Sequence, residues 1–243
     1  MNIKYSIIIP TLNEEKLLPN LLQQFSDELR NKYKIEIIVA DSGSKDKTIE
    51  IAKEICDKVI EKNGADIKNI SFGRYIGAKN STGEILIFLN ADVLFDDINN
   101  FFEYLENNFV KSNYVACTCK IKVFPNEDKF IDKIFSAFIN CYVRTLNLIG
   151  IGMMRGECQI IRKNIYETVG GYNINLYAGE DFEISTRIRK KGKILFAKNL
   201  IIYESPRRYH SWGYIKILFS WFLNSISSWF LKKSFNKKWE EIR

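Results

Sequence analysis

Short apolar runs alternate with amphipathic segments along the first half of the chain. Residues 4–10 form a strand-type run ended by Pro10. Leu17, Leu18, Leu21, Leu22 and Phe25 then recur at helical spacing, and Asn13 stands where it could cap that helix. Residues 35–40 are a second apolar strand, Asp41-Ser42-Gly43-Ser44 is a turn, and Asp46 or Ser44 can cap a helix through Ile55. A third strand over 58–61 follows. A helix over 72–81 is closed by Gly83, and 84–89 is a further strand. A helix over 97–110 and a strand over 114–123 complete this half. The alternation predicts an α/β architecture: a doubly wound, mostly parallel sheet with helices on both faces.

The pattern changes after Pro125. Phe130, Ile131, Ile134, Phe135, Phe138, Ile139, Tyr142, Val143 and Leu146 describe a strongly amphipathic helix. A short strand over 158–161, a short helix over 164–169 stopped by Gly170-Gly171, a helix over 181–190 and one or two strands over 194–203 follow. The chain divides into a catalytic-type domain over 1–210 and an aromatic, amphipathic helical extension over 211–243. In that extension Lys216, Ser220, Asn224, Ser227 and Ser228 form one narrow polar stripe among Trp, Phe, Ile and Leu. The stripe counts against a spanning helix and favours an interfacial one. Lys232-Lys233 and Lys237-Lys238 suit an anionic lipid surface. Packing on protein is the alternative.

The chain has 243 residues, 46% of them hydrophobic, and a formal charge of +7 from 36 Lys and Arg against 29 Asp and Glu. That charge favours anionic partners: nucleotides, phospholipid surfaces or nucleic acid. The five cysteines are scattered and odd in number, without C-x-x-C, and the sole histidine is His210. This disfavours a zinc site or a disulfide framework and reads as reduced thiols in a cytosolic protein. The amino-terminal apolar run is too short for a signal peptide. Neither G-x-x-x-x-G-K-[ST] nor a G-x-G-x-x-G after the first strand occurs, so a held nucleotide would need carboxylates, a metal and basic side chains.

Four places offer that chemistry, each beside a plainer explanation. Asp92 follows the buried run 85–89 and could hold a divalent cation that holds a diphosphate, or simply suit a turn. Asp41 could accept hydrogen bonds from a base or ribose, or close an Asx-turn. Glu180-Asp181 could supply a general base, or cap a helix. Arg207-Arg208 could clamp a diphosphate, or be a basic loop, and His210 could add a metal ligand or a phosphate contact.

Taken together these residues resemble the family 2 glycosyltransferases, whose fold is the GT-A nucleotide-diphospho-sugar transferase fold. Ser6-Ile7-Ile8-Ile9-Pro10-Thr11-Leu12-Asn13-Glu14-Glu15 is similar to that family's first strand and nucleotide loop. Ile38-Val39-Ala40-Asp41-Ser42-Gly43-Ser44 with Asp46 and Thr48 is similar to its second strand and base-binding turn. Gly73-Arg74, Gly77-Ala78, Asn80 and Gly83-Glu84 resemble the helix leading to its metal strand. Gly170-Gly171-Tyr172 and Glu180-Asp181 resemble its acceptor-side motifs. The resemblance covers roughly residues 5–203.

It implies inverting transfer of a sugar from a UDP- or GDP-sugar to an acceptor hydroxyl or phosphate. Pro10, Thr11, Glu14, Asp41 and Asn90 would stand at the nucleotide and Asp92 at an Mg²⁺ or Mn²⁺ ion. Asp181 would be the base, beside Glu180. Asn90 departs from the acidic residue usual there. The chain also lacks the Q-x-x-R-W motif of processive members, which Arg207-Arg208-Tyr209 only loosely echoes, so single transfer is expected. If the extension lies on a membrane, a lipid-linked acceptor becomes a candidate and the protein would sit on the cytoplasmic membrane face. No nucleic acid is expected. Competing readings are a sugar-nucleotide nucleotidyltransferase, disfavoured by the lack of a Gly-rich first loop followed by Arg and Lys, and a non-catalytic protein binding membrane or nucleic acid through its charge.

Overall fold

In the computed structural model, which describes residues 3–61 and 69–235, one eight-stranded sheet organises the chain. Strand β1 (Tyr5–Thr11) lies between β2 (Ile35–Asp41) and β4 (Ile85–Leu89), parallel to both. The short β3 (Lys58–Glu61) is parallel to β2. Every residue of β1, β2 and β4 is buried. Continuous β-branched and leucine runs are what a parallel sheet covered on both faces requires. The second half of the sheet is mixed. β7 (Cys158–Arg162) is antiparallel to both β4 and β6 (Ala116–Val123). β8 (Ile194–Glu204) runs parallel to β6, with a bulge that skips from Ala197 to Ile201 opposite Cys119 and Lys120. A three-residue strand, β5 (Val93–Phe95), closes antiparallel on β8 and was not legible in the sequence.

The first helical region departs from expectation. It forms two helices, α1 (Leu18–Leu22) and α2 (Asp27–Tyr33), the second capped by Ser26, whose hydroxyl accepts from Leu29 N at 3.2 Å. Asn13 caps neither. It sits at φ +53°, donates its N–H to Ser44 Oγ at 2.7 Å and accepts from Lys45 N at 2.8 Å, so it ties two loops together. Helix α3 (Thr48–Ile55) is opened by Asp46, which accepts from Thr48 N at 3.0 Å. Helix α4 (Ile70–Lys79) begins before residue 72 because Asn69 caps it, accepting from Phe72 N at 2.8 Å. Gly77 lets α4 lie on β1, since a Cβ there would stand 2.5 Å from Ile8 Cγ2. The expected helix over 97–110 is α5 (Ile98–Tyr104) continued by a π-helical turn, Leu105–Val110. Arg162 donates to the carbonyls of Phe109, Val110 and Ser112 at 2.9, 3.2 and 2.9 Å, which satisfies the end of that turn.

Helix α6 (Phe130–Leu148) and two carboxyl-terminal helices, α9 (Arg207–Trp212) and α10 (Tyr214–Leu231), share a small core around Phe135, Tyr209 and Ile217. The short α7 (Lys163–Thr168) follows β7, and α8 (Glu180–Arg189) precedes β8. The division expected at residue 210 falls inside α9, and the single carboxyl-terminal helix is broken at Gly213, at φ +78°. Helix α10 is turned polar side inward. Asn224 and Ser228 of its stripe are buried, while Ile215, Phe219 and Phe230 are 85%, 62% and 74% exposed. Among the described residues no helix is long and apolar enough to cross a membrane. Lys237-Lys238 lie outside the described residues. All five cysteines are free: Cys117, Cys119 and Cys158 are buried, Cys56 is half-buried and Cys141 is exposed.

Gly83 links α4 to β4 and has no room for a side chain: a Cβ would meet Ser6 N at 2.8 Å and Tyr5 C at 2.9 Å, both backbone atoms. Gly83→Ala is expected to destabilise the fold by about 1–3 kcal/mol through overpacking. Urea titration should show a lower midpoint at an unchanged m-value.

Candidate active site

The carboxyl ends of β1, β2 and β4 bring Thr11, Asp41 and Asn90 to one edge of the sheet, where open α/β sheets bind ligands. Just past Asn90 the chain turns into β5. The register Val93↔Glu204 and the bond from Ser205 N to Asp92 O, 3.2 Å, fasten Asp92 to the end of β8. Two residues after Ser205, Arg207 is thereby delivered to the acidic tip. Its Nη2 donates to Asp92 Oδ2 at 2.9 Å and to Glu14 Oε1 at 2.8 Å. Burial pushes the Asp92 carboxyl above its ordinary value, against the attraction of Arg207. Arg208 lies beside it over the ring of Trp212, 5.4 Å from the centroid, and its burial lowers the guanidinium's affinity for its proton.

Beside Asn90 the dominant group is Arg74, whose role was not foreseen. It is 1% exposed and donates to Asn90 Oδ1 at 2.9 Å, Gly156 O at 2.8 Å and Glu180 Oε1 at 2.8 Å. The guanidinium also lies 5.5 Å from the ring centroid of Tyr172. Glu180 is therefore committed to a buried ion pair. Asp181 carries the freer carboxylate of the pair; its Oδ1 accepts Phe182 N at 2.7 Å. Burial, then the charges of Glu180 and Glu157, push Asp181 up to about 7, against the pull of Arg74. Helix α8 begins after Gly179, in a left-handed conformation, with no side-chain cap.

A second buried network lies behind Arg207. Arg155 reaches both oxygens of Glu204 at 2.7 and 2.9 Å, Tyr209 Oη at 2.8 Å and Glu157 Oε2 at 3.1 Å. Tyr209 donates to Glu204 at 2.6 Å. Burial pushes the Glu204 carboxyl up to about 8, against the attraction of Arg155. These residues hold α9 against the sheet and thus set where Arg207 points. No local sequence signal distinguishes them, because the bonds that join Arg155 to Glu204 and Tyr209 span 49 and 54 residues.

Two expected site residues are placed elsewhere. Asp41 does not line the crevice; its carboxylate accepts from Thr11 Oγ1 at 2.9 Å, from the N–H groups of Gly43 and Ser44, each at 2.8 Å, and from Ser44 Oγ. That is the turn arrangement, and a base or ribose would have to compete with four donors. His210 is the second: its Nε2 faces Asp132 Oδ2 of α6 at 3.0 Å, and it is not among the residues that line the cavity. Pro10, Thr11, Glu14, Asn90, Asp92, Glu180, Asp181, Arg207 and Arg208 all line one cavity of about 970 Å³. Phe138, Tyr142, Trp221 and Phe222 give the cavity one apolar stretch of wall. Among the described residues no three His, Cys, Asp or Glu side chains are grouped to hold a metal. Asp92 fits a hard cation of the kind held by one or two carboxylates plus substrate phosphates, not one caged by protein ligands.

Comparisons with known proteins agree with this geometry. The family model for glycosyl transferase family 2 matches residues 6–170. A 4,4'-diaponeurosporenoate glycosyltransferase of Staphylococcus haemolyticus is 41% identical over 99 residues, 39% of this chain and 25% of that protein. An O-antigen chain rhamnosyltransferase of Salmonella typhimurium is 24% identical over 218 residues, 83% of this chain and 66% of its own. The human dolichyl-phosphate beta-glucosyltransferase is 28% identical over 162 residues, 60% of this chain and 47% of its own. This chain thus spans less than two thirds of the length of each. A mannosyltransferase of Pyrobaculum calidifontis, solved with GDP-Man and Mn²⁺, superposes with TM-score 0.70 at 19% identity, over 96% of this chain and 64% of that one. The fold is that of the GT-A glycosyltransferases. By the match over most of its length, the chain belongs to glycosyl transferase family 2.

Proposed function

We propose that the chain is an inverting glycosyltransferase that moves one sugar per encounter from a nucleoside-diphosphate sugar to an acceptor oxygen. The observation that carries this is one cavity lined both by Asp181 and by the Asp92–Arg207 pair. The nucleotide would lie along Pro10, Thr11 and Glu14, with its diphosphate toward Arg207 and Arg208. Guanidinium groups pair with phosphate oxygens in two-point geometry. A divalent cation held at Asp92 supplies further positive charge to the departing diphosphate. The acceptor oxygen forms a bond to the anomeric carbon on the face opposite the diphosphate. The carbon–diphosphate bond breaks with its electron pair, and the acceptor proton passes to Asp181. A carboxylate pushed up to about 7 is a suitable base near neutral pH.

The apolar wall of the cavity and the exposed aromatic faces of α6 and α10 favour an acceptor presented from a lipid surface. The protein would then be peripheral, on the cytoplasmic face. Relatives named for lipid-linked substrates include the dolichyl-phosphate enzyme and an undecaprenyl-phosphate 4-deoxy-4-formamido-L-arabinose transferase of Pseudomonas fluorescens, 32% identical over 93 residues, 36% of this chain and 27% of that protein. UDP and GDP sugars both remain within the reading, since solved neighbours hold one or the other.

Asp181→Asn is expected to lower kcat by roughly 10²–10⁴-fold while leaving donor affinity near wild type. The rate of the unaltered protein should rise with pH through about 7, as the base form appears. Stability should move the other way. The raised carboxyl favours the protonated folded state, a contribution present below the ordinary carboxylate range and lost as pH rises through about 7. Asparagine has no such loss, so the variant should melt higher than wild type at pH 8 and alike near pH 4. A helix-capping role would instead make it melt lower at both.

Asp92→Asn addresses the donor side. Thermal shifts with UDP- or GDP-sugars should grow on adding Mn²⁺ for wild type, because ligands of the native state raise its melting temperature. The variant should lose that increment and keep the metal-free shift. An equal Mn²⁺ increment in both proteins would remove Asp92 from the metal site.

A further inference from the structure

The contacts that hold α10 to the domain are the same ones that hold the loop carrying the base. Ser234, just past α10, accepts from Tyr177 N at 2.7 Å and Ala178 N at 3.0 Å and donates to Ala178 O at 2.9 Å. That saturates a hydroxyl. Asn224 accepts from Phe235 N at 3.1 Å, which folds the chain end back along the helix. At Gly179 a Cβ would stand 2.8 Å from Asn224 O and 3.0 Å from Ser228 Oγ, so the helix backbone lies directly on the loop. The next two residues are Glu180 and Asp181, and Phe182 packs edge-on against Trp229 at 5.6 Å.

The hydrogen bonds that tie α10 to the 177–179 loop are polar, its contact with α6 and α9 is apolar through Ile217, and its outer side is apolar as well. Water competes for the bonds of Ser234 and Asn224, and the exposed rings gain nothing from water. Helix α6 beside it exposes Phe130, Phe138 and Leu148, and the two helices are joined through Phe135 and Trp221, 6.2 Å between rings. Lys133 on α6 and Lys216, Lys232 and Lys233 at the ends of α10 are exposed. An apolar face rimmed by lysines matches an anionic bilayer. A bilayer can engage both helices together only while α10 is docked, which gives it a higher affinity for the docked state.

We propose that α10 is a surface sensor: contact of its outer face with an anionic bilayer holds it docked and, through Ser234 and Asn224, sets the 177–179 loop that positions Asp181. The proposal rests on the membrane reading above and adds to it a coupling between surface and active site. Lipid-bound protein therefore turns over donor faster than protein in water, whatever the acceptor.

The test uses the full chain with vesicles of phosphatidylcholine containing phosphatidylglycerol, and of phosphatidylcholine only. Hydrogen exchange at Tyr177 and Ala178 should slow by roughly tenfold or more on the anionic vesicles, and release of nucleoside diphosphate from the donor should quicken in the same samples. Ser234→Ala should sediment with the vesicles like wild type but lose both the slowed exchange and the stimulation. Phe230→Ser should lose sedimentation while keeping the rate seen in water. If wild type sediments yet its exchange at 177–178 is unchanged, the coupling is refuted and the membrane reading stands. If Ser234→Ala is protected like wild type, the coupling does not run through Ser234 and the proposal fails. If wild type does not sediment with anionic vesicles, both readings fall.

Discussion

A guanidinium that cannot shed its charge is enclosed at the centre of the molecule, and the crevice is assembled around it. Arg74 on α4 has direct polar partners on the end of β4, the segment before β7 and the start of α8. Leaving a buried charge unpaired costs several kcal/mol, so these three segments must converge whenever the protein folds. The wall that meets the donor and the wall that carries Asp181 therefore share one anchor. Gly77 is part of the same constraint, because it lets α4 lie close enough to β1 for Arg74 to reach inward. The convergence has a cost: Arg74 Nε is buried without a hydrogen-bond partner. With Asn90 in place of an acid, the anion in direct contact with Arg74 is Glu180. Its charge is thus directed to the side of the base.

The parallel half of the sheet was legible because its strands are buried on both faces, which forces long uninterrupted apolar runs. Once those runs are fixed, Asp92 must lie just beyond a strand end at the crevice. The second half was not legible in the same way. β5 has three residues and exists only because Val93 to Phe95 find Ile202 to Glu204, far along the chain. Arg74 reads locally as an ordinary helical arginine. Its burial depends on Glu180 and Gly156, 106 and 82 residues away. Asp41 and His210 show the converse. Their residue types suited ligand chemistry, but Ser44 and Thr11 occupy the first and Asp132 the second. A side chain's chemistry is written in the sequence, while its availability is decided by neighbours the sequence does not display.

Helix α10 separates these two kinds of information. Its amphipathic pattern was plain, and it marks two faces without saying which meets the protein. Here Asn224 and Ser228 of the polar face meet the 177–179 loop, where Gly179 leaves room for the helix backbone, while Ile217 meets α6 and α9. The burial achieved is small, and the helix keeps most of its aromatic surface outside.

The distribution of sulfur in the fold has a practical consequence. Burial pushes the Cys56 thiol up to about 12 and that of Cys117 well above the ordinary range; a hydrogen bond with Cys119, then burial, does the same for Cys158, and Cys119 is buried beside them. Cys117, Cys119 and Cys158 are shielded from alkylating reagents by burial while the fold is intact, and Cys56, half-buried, reacts slowly because only the thiolate reacts readily. Cys141 is exposed on α6, one residue before Tyr142 and three after Phe138. The natural chain thus carries one accessible thiol, on the helix whose outer side is apolar. A polarity-sensitive fluorophore attached there would report the dielectric of whatever α6 meets, with no residue introduced for the purpose.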